Sequence, residues 1–313
     1  MIEKKQAFVT MITPYMADGS VDYDTVRKYV HFYAENGLDG IFAVCQSSEI
    51  FYLSVEERVR INRLVYETVK EIERETGRRM TVVSSGHVAD DLPGQAAELN
   101  AVAASGTDAL ILITNRLAKQ DESDDVWIKN AEWLLDKLPS DIPLGLYECP
   151  YPYKRLVSGK TLKWAAGTGR FRFMKDTCCD AALIAERVKW LENSGLLLLN
   201  ANCQTLLETL KSGADGYCGI MANYHPKLYT WLCHEFADEP EKAALVQSVT
   251  GTFGFTEIGL PYPLTAKYHM TLEGIDTNDI ARSRPGEQLA DYAKSCVEQM
   301  RSATKYVEGV LGL

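Results

Sequence analysis

The feature that most constrains the fold is an alternation of short apolar runs and amphipathic helical segments, repeated about eight times along the chain. The apolar runs occupy residues 8–13, 40–45, 81–85, 109–114, 143–148, 171–175, 196–200 and 216–218. Strands that alternate with helices favour a parallel sheet, because a parallel connection needs a crossover that a helix can supply. We therefore predict an α/β fold, a (β/α)8 TIM barrel with extra C-terminal helices.

The helical segments set the expected domain division. The clearest helix start is Ser54-Val55-Glu56-Glu57, in which Ser54 and Glu57 can each satisfy a free backbone N–H group. From about Asn223 onward the pattern is helical, with a break at residues 259–263. We assign residues 1–237 to the barrel and 238–313 to a C-terminal helical extension packed on it. A doubly wound open sheet is the alternative, but the Gly-x-Gly-x-x-Gly turn that would support it does not occur.

The composition is that of a globular protein and argues against several classes of function. Thirty-three basic and 43 acidic residues give a net charge of −10, so there is no basic surplus to neutralise nucleic-acid phosphates. Residues 1–6 form no signal-peptide core, and no apolar run approaches the roughly 18 residues of a membrane span. We expect a cytoplasmic protein without a membrane partner. The eight cysteines lack metal-site spacing, which favours reduced, buried thiols and no bound metal.

The apolar run at residues 171–175 ends in a lysine. Strict alternation along a strand places Phe171, Phe173 and Lys175 on one face. Burial there favours the neutral amine, which is a nucleophile and can form a Schiff base with a carbonyl substrate. The structural alternative is a lysine that pairs with a carboxylate or points into solvent. Asp176 is a candidate partner, although alternation puts it on the opposite face.

Side chains suited to catalysis or binding lie at the predicted strand ends. In a barrel these ends meet at one opening, the mouth. The side chains are Thr13 at the end of the first run, the turn Gln46-Ser47-Ser48 after the second, Tyr147 in the fifth and Lys175 in the sixth. A nucleophilic lysine, a tyrosine for proton transfer and a donor-rich turn for a carboxylate form a coherent set. The alternatives are a core tyrosine bonded to backbone and a turn that only caps the next helix. His87 faces either the mouth or the solvent.

These segments, in this order, resemble the dihydrodipicolinate synthase and N-acetylneuraminate lyase family of class I aldolases, over residues 7–235. The similar motifs are Ile12-Thr13-Pro14-Tyr15, Asp18-Gly19-Ser20-Val21-Asp22, Gln46-Ser47-Ser48-Glu49 in place of Thr-Thr-Gly-Glu, Tyr147 with Pro150 in place of Tyr-Asn-x-Pro, Met174-Lys175-Asp176, and Gly213-Ala214-Asp215-Gly216.

The resemblance implies that Lys175 forms an imine with pyruvate or a related 2-oxo acid, without a further cofactor. Tyr147 would act as general acid and base, and Ser47 with the turn's backbone amides would hold the substrate carboxylate. The further candidate substrate-binding residues are Gln46, Ser48, Thr13, Cys218 and Arg116. The resemblance also implies a homo-oligomer, a tetramer or a dimer, acting on a small molecule.

Departures from the family pattern bear on the second substrate. Leu117 falls where dihydrodipicolinate synthases place a relay tyrosine from the neighbouring subunit, and leucine has no transferable proton. Tyr151-Pro152 replaces the Gly-Arg whose arginine binds the aldehyde's carboxylate. The candidates for a replacement positive charge are Arg116, Lys154 and Arg155. The alternative is that these three are loop charges exposed to solvent.

We therefore expect a sugar-acid aldolase or dehydratase rather than a dihydrodipicolinate synthase. Cys45 and Ser48 replace the turn's usual glycines and restrict how closely the backbone can approach a carboxylate. A non-catalytic 2-oxo-acid-binding or regulatory barrel is the alternative. A metal-dependent barrel enzyme is disfavoured, because no His or carboxylate cluster has the spacing of metal ligands.

Overall fold

The computed structural model describes residues 5–313 and confirms the barrel. Within that range, parallel strands close in the order β1 to β8, with β8 pairing back to β1. The strands are β1 Gln6–Thr10, β2 Gly40–Phe42, β3 Thr81–Ser84, β4 Ala109–Ile113, β5 Leu144–Tyr147, β6 Phe171–Asp176, β7 Leu197–Asn200 and β8 Gly216–Gly219. The closed barrel excludes the open sheet. Residues 1–4, on which the signal-peptide expectation partly depends, lie outside the described residues.

Helices follow every strand and surround the barrel. They are α1 Tyr23–Glu35, α2 Val55–Thr76, α3 Leu92–Ala103, α4 Asp124–Leu135, α5 Gly159–Gly167, α6 Ala181–Trp190, α7 Leu206–Lys211 and α8 Pro226–Glu235. Three more helices come after them: α9 Pro240–Ile258, α10 Leu264–Leu272 and α11 Asp291–Leu311. None of the helices in residues 5–313 combines the length and the apolar character needed to cross a membrane.

Local sequence signals explain where most helices begin. The predicted capping box forms, with the Ser54 hydroxyl accepting from Glu57 N and the Glu57 carboxylate accepting from Ser54 N. Helix α5 lies between β5 and β6. Glycine begins and ends α5, which weakens the helical pattern. Ser158 nevertheless caps it by accepting a hydrogen bond from Thr161 N.

Strand β6 departs from strict alternation at its start. The β5 partners of Phe171 and Phe173 are the consecutive residues Leu144 and Gly145, so Arg172 is an extra residue in the ladder. The prediction that Phe171 shares a face with Lys175 is therefore wrong. Phe171 packs against Trp164 in the helical layer, whereas Phe173 lies inside the barrel, 5.4 Å from the ring of Phe8. Beyond this irregularity alternation resumes and directs Lys175 inward.

The long segment between α10 and α11 returns to the barrel mouth. Its residue Arg282 makes two 2.7 Å contacts to the Glu57 carboxylate at the start of α2. Ser283 donates from its backbone N and its hydroxyl to Glu49, at 2.7 and 2.8 Å. The buried Lys267 of α10 pairs with the same Glu49, at 3.0 Å. The C-terminal region is therefore attached to the loops that follow β2.

Candidate active site

A cavity of about 760 Å³ opens at the C-terminal ends of the strands, a volume typical of small-molecule sites. The strand ends and following loops contribute Gln46, Ser47, Glu49, Phe51, Tyr52, Tyr147, Pro150, Tyr151, Lys175, Thr177 and Ile220. The C-terminal region contributes Tyr262, Pro263, Ser283, Arg284, Pro285 and Glu287. Four of the residues predicted from strand ends, Gln46, Ser47, Tyr147 and Lys175, thus share one cavity.

Lys175 is buried at the base of this cavity, with only 4% of its surface exposed. It pairs with Tyr147 across the β5–β6 ladder, and its Nζ lies 4.3 Å from the centroid of the Tyr147 ring. Among residues 5–313, no carboxylate lies within 4.0 Å of that nitrogen, and Asp176 instead contacts Arg187 on the opposite face. Both structural alternatives for Lys175, a paired lysine and a solvated one, are therefore wrong.

Tyr147 presents a hydroxyl that the protein holds only loosely. The hydroxyl lies 3.5 Å from Gln46 Oε1, beyond the usual O–H···O range, and makes no backbone hydrogen bond among the described residues. Burial raises the pKa of Tyr147 well above its ordinary value, so the hydroxyl carries its proton at neutral pH. A protonated hydroxyl without a strong partner, beside a lysine, is suited to proton exchange with a bound molecule.

The turn after β2 is a short 3-10 helix, Gln46–Ser48, in which adjacent serines differ in placement. Ser47 lines the cavity and donates to Thr10 Oγ1 at 3.1 Å. Ser48 is fully buried, with its hydroxyl 2.7 Å from Met11 O and 2.8 Å from Ala43 O. Thr13 donates to Ser48 O at 2.8 Å. Ser48 and Thr13 therefore fasten the turn and are not among the residues that line the cavity.

Other predicted candidates lie elsewhere. The structure does not bring Arg116 to the mouth, because its guanidinium contacts Val88 O, Ala89 O and Asp90. Lys154 donates to Thr177 O, and Arg155 is held by Asp124 and by backbone carbonyls. Cys218 is buried on β8, outside the cavity lining, and burial raises the pKa of its thiol to about 12.

His87 is buried, so both expectations for it, the mouth and the solvent, are wrong. Its Nδ1 lies 2.9 Å from Gln95 Oε1, and its Nε2 accepts from Ile113 N at 2.6 Å. Burial lowers its pKa to about 4, so the ring is neutral at physiological pH. The ring serves to connect α3 to the end of β4.

A buried ionic cluster lies directly behind the two reactive strands. Glu148 follows Tyr147 in sequence, Asp176 follows Lys175, and both carboxylates contact the guanidinium of Arg187 on α6. All three side chains are almost completely inaccessible to solvent. Glu148 also accepts from Val157 N at 2.7 Å and from Thr177 N at 2.9 Å. These contacts hold the ends of β5 and β6 in register at the positions of the tyrosine and the lysine.

The cavity residues that come from the C-terminal region were not predicted from the sequence. Tyr262 is partly buried, and its hydroxyl, which is itself inaccessible to solvent, has no hydrogen-bond partner within residues 5–313. Arg284 donates from Nε to Tyr262 O at 2.8 Å and contacts Glu287 at 2.8 Å. The available signal was the long segment between α10 and α11, since long loops without secondary structure often carry function. In the same described range, no cluster of three or more His, Cys, Asp or Glu side chains could hold a metal ion.

Comparisons with known proteins agree with this geometry. The sequence profile of the Dihydrodipicolinate synthetase family matches residues 3–114 and 141–303. A 4-hydroxy-tetrahydrodipicolinate synthase of Saccharophagus degradans is 23% identical over 292 residues, covering 85% of this chain and 96% of the relative.

Solved structures share the fold. A dihydrodipicolinate synthase from Bacillus anthracis aligns with a TM-score of 0.84 at 18% identity, over 97% of this chain and 99% of that one. A prophage protein from Escherichia coli K12, solved in complex with pyruvate, aligns with a TM-score of 0.81 at 19% identity, over 97% and 98% of the two chains. The chain therefore belongs to the dihydrodipicolinate synthetase family, and with it to the class I aldolase-type lyases.

Proposed function

We propose that this protein forms a Schiff base between Lys175 and pyruvate, or a related 2-oxo acid, and then makes or breaks an adjacent carbon–carbon or carbon–oxygen bond. The observation that carries the proposal is a buried lysine without a neighbouring carboxylate, packed on the ring of Tyr147 at the base of a substrate-sized cavity. An amine in such a place is available to add to a carbonyl group. The imine itself supplies the electron sink, so no further cofactor is required.

In the first half of the proposed reaction, the Lys175 amine adds to the C2 carbonyl, and loss of water gives an iminium ion. The iminium draws electrons from C3, which loses a proton and becomes the nucleophilic end of an enamine. Tyr147 is proposed to relay protons, because its hydroxyl is protonated and has no short hydrogen bond: it donates its proton to the carbinolamine hydroxyl, which leaves as water, and the resulting phenolate accepts the proton from C3.

The second half determines the product. Attack of C3 on an aldehyde carbon forms the new bond, and the resulting alkoxide takes a proton. Water then hydrolyses the iminium and releases the lysine. Loss of a C4 hydroxyl from the enamine would instead make the enzyme a dehydratase. The substrate carboxylate is assigned to the Ser47 hydroxyl and to the first amide N–H groups of the 3-10 turn, which have no acceptor inside the helix.

The lining disfavours dihydrodipicolinate synthesis in particular. Leu117, at the position from which a neighbouring subunit would supply the relay tyrosine, has no hydroxyl. The cavity wall is instead rich in aromatic side chains, namely Phe51, Tyr52, Tyr151 and Tyr262. We propose an aldolase or a dehydratase acting on a longer 2-oxo acid, such as a sugar acid, and acting as a homo-oligomer. Light scattering tests the assembly, and a monomer would contradict that part of the proposal.

The proposed chemistry can be tested without knowing the second substrate. In D2O, an enamine picks up deuterium, so the methyl signal of pyruvate should decay in proton NMR when the protein is present. Lys175→Ala should abolish this decay, and Lys163→Ala, which alters a lysine outside the cavity lining, should leave it unchanged. Binding of 2-oxo acids by the wild-type protein without any exchange would favour a binding or regulatory barrel instead.

A further inference from the structure

We propose that Arg284 forms an anion-binding subsite at the mouth of the cavity, which holds a second, distal carboxylate of the substrate. The inference deepens the proposed function and rests on it for the position of the 2-oxo group at Lys175. It assigns the substrate to the class of 2-oxo acids that carry a second carboxylate at the far end.

Arg284 has N–H donors for which the described residues provide no acceptor. Its Nε donates to Tyr262 O at 2.8 Å, and its Nη1 contacts Glu287 at 2.8 Å. No described residue accepts a hydrogen bond from its Nη2, and the side chain is 39% exposed. A guanidinium carries five N–H donors in a planar fork that matches a carboxylate. The free part of this fork belongs to a residue that lines the same cavity as Lys175.

The backbone that carries Arg284 is fixed before any ligand binds. The preceding residue, Ser283, makes two hydrogen bonds to Glu49, which is itself paired with the buried Lys267 at 3.0 Å. Arg282 makes two 2.7 Å contacts to Glu57. Because these ion pairs already order the segment, binding an anion at Arg284 loses little conformational entropy.

The charges around the cavity also select for an anion at this position. Within the described residues, Lys175 and Arg284 are the cations that line the cavity, and Lys175 is occupied by its bond to C2 in the iminium ion. The lining carboxylate of Glu49 is neutralised by Lys267. The remaining carboxylate, Glu287, pairs with Arg284 at the exposed rim, where such pairs contribute little free energy. A substrate carboxylate can therefore displace Glu287 at small cost.

Isothermal titration with 2-oxo diacids tests the subsite. The ligands are the diacids of five, six and seven carbons and the 2-oxo monoacids of equal length, which together measure how far the second carboxylate must reach. The wild-type protein should bind at least one diacid about ten- to a hundred-fold more tightly than its matched monoacid, as expected for charge-assisted hydrogen bonds. Equal affinities for every pair would overturn the inference.

Variants separate recognition from structure. Arg284→Met should remove the preference for the diacid, and Glu287→Gln should increase it severalfold by removing the competing carboxylate. Arg301→Met, which removes an arginine held by Glu273 outside the cavity lining, is the charge-matched control and should keep the preference. If Arg284→Met weakens monoacid and diacid binding by the same factor, Arg284 is structural and the inference is wrong.

The two proposals fail in different ways. Absence of deuterium exchange at C3 of pyruvate and of every longer 2-oxo acid tested would end the proposed imine chemistry, but the ratio of diacid to monoacid affinity would still test the role of Arg284. Conversely, normal exchange with no preference for diacids would leave the chemistry standing and remove the subsite.

Discussion

The buried cluster behind β5 and β6 gives a demanding prediction for Arg187→Met. The substitution keeps much of the side-chain volume but leaves Glu148 and Asp176 next to each other without a cation, both inaccessible to solvent. Removing one partner of a buried ion pair generally costs about 3–5 kcal/mol of stability. We expect a loss of that order in the free energy of unfolding at pH 8.

The loss should depend on pH. Burial, and next the neighbouring Asp176, already raise the pKa of Glu148, and Arg187 opposes both. Without the arginine this pKa rises further, so the folded state binds a proton more tightly than the unfolded state does. The contribution of such a group to the free energy of unfolding falls as pH rises through the folded-state pKa. Arg187→Met should therefore be less destabilised at pH 6 than at pH 8.

Urea unfolding followed by tryptophan fluorescence, at both pH values and one protein concentration, measures these differences. The double variant Glu148→Gln/Arg187→Met should recover part of the loss, because it removes one of the two facing charges. Arg172→Met is the matched control, since Arg172 is an exposed arginine on β6, the strand that carries Asp176. A loss below about 0.5 kcal/mol in Arg187→Met at both pH values would refute this view of the cluster.

Three further variants test other parts of the molecule. Tyr147→Phe should slow deuterium exchange into pyruvate by about 10²–10⁴-fold, the usual contribution of a general acid–base group, while borohydride still traps the imine; unchanged exchange would exclude Tyr147 from proton transfer. Burial raises the pKa of Glu257 to about 7 from the ordinary 4.5, so its contribution to stability is lost as pH rises from about 4.5 to 7. Thermal melts should therefore show the stability of Glu257→Gln rising relative to that of the wild type over that window, by at most about 3 kcal/mol. A difference in stability that stays constant with pH would contradict the assignment. Ser48→Ala should lower stability by about 1–3 kcal/mol in urea unfolding, because its hydroxyl is tied to buried backbone groups, whereas Ser47→Ala should mainly weaken pyruvate binding; the opposite pattern would be inconsistent with the placement of the two serines.

The barrel and its reactive strands were predictable from sequence because they depend on local patterns. Alternating apolar runs and helices specify a parallel sheet, and the rule that side chains meet at the C-terminal strand ends placed Tyr147 and Lys175 together. The capping box at Ser54 was predictable because it involves only neighbouring residues.

What escaped prediction depends on contacts between distant parts of the chain. Phe171 turned outward because one extra residue enters the β6 ladder, which no local pattern shows. Arg116 was drawn away from the mouth by backbone carbonyls of the loop after β3. Arg284 reaches the cavity only because ion pairs more than 200 residues apart in sequence attach its segment to the barrel.

Reduction with borohydride in the presence of pyruvate tests the proposed chemistry most directly, because borohydride fixes only an imine that has already formed. We predict one pyruvate-derived adduct per chain by intact mass, mapped by peptide analysis to Lys175. Lys267 is the informative competitor, since burial lowers its pKa to about 8 and makes its amine more readily neutral than an ordinary lysine. An adduct on Lys267, or no adduct with pyruvate or any longer 2-oxo acid, would contradict the assignment of Lys175 as the nucleophile.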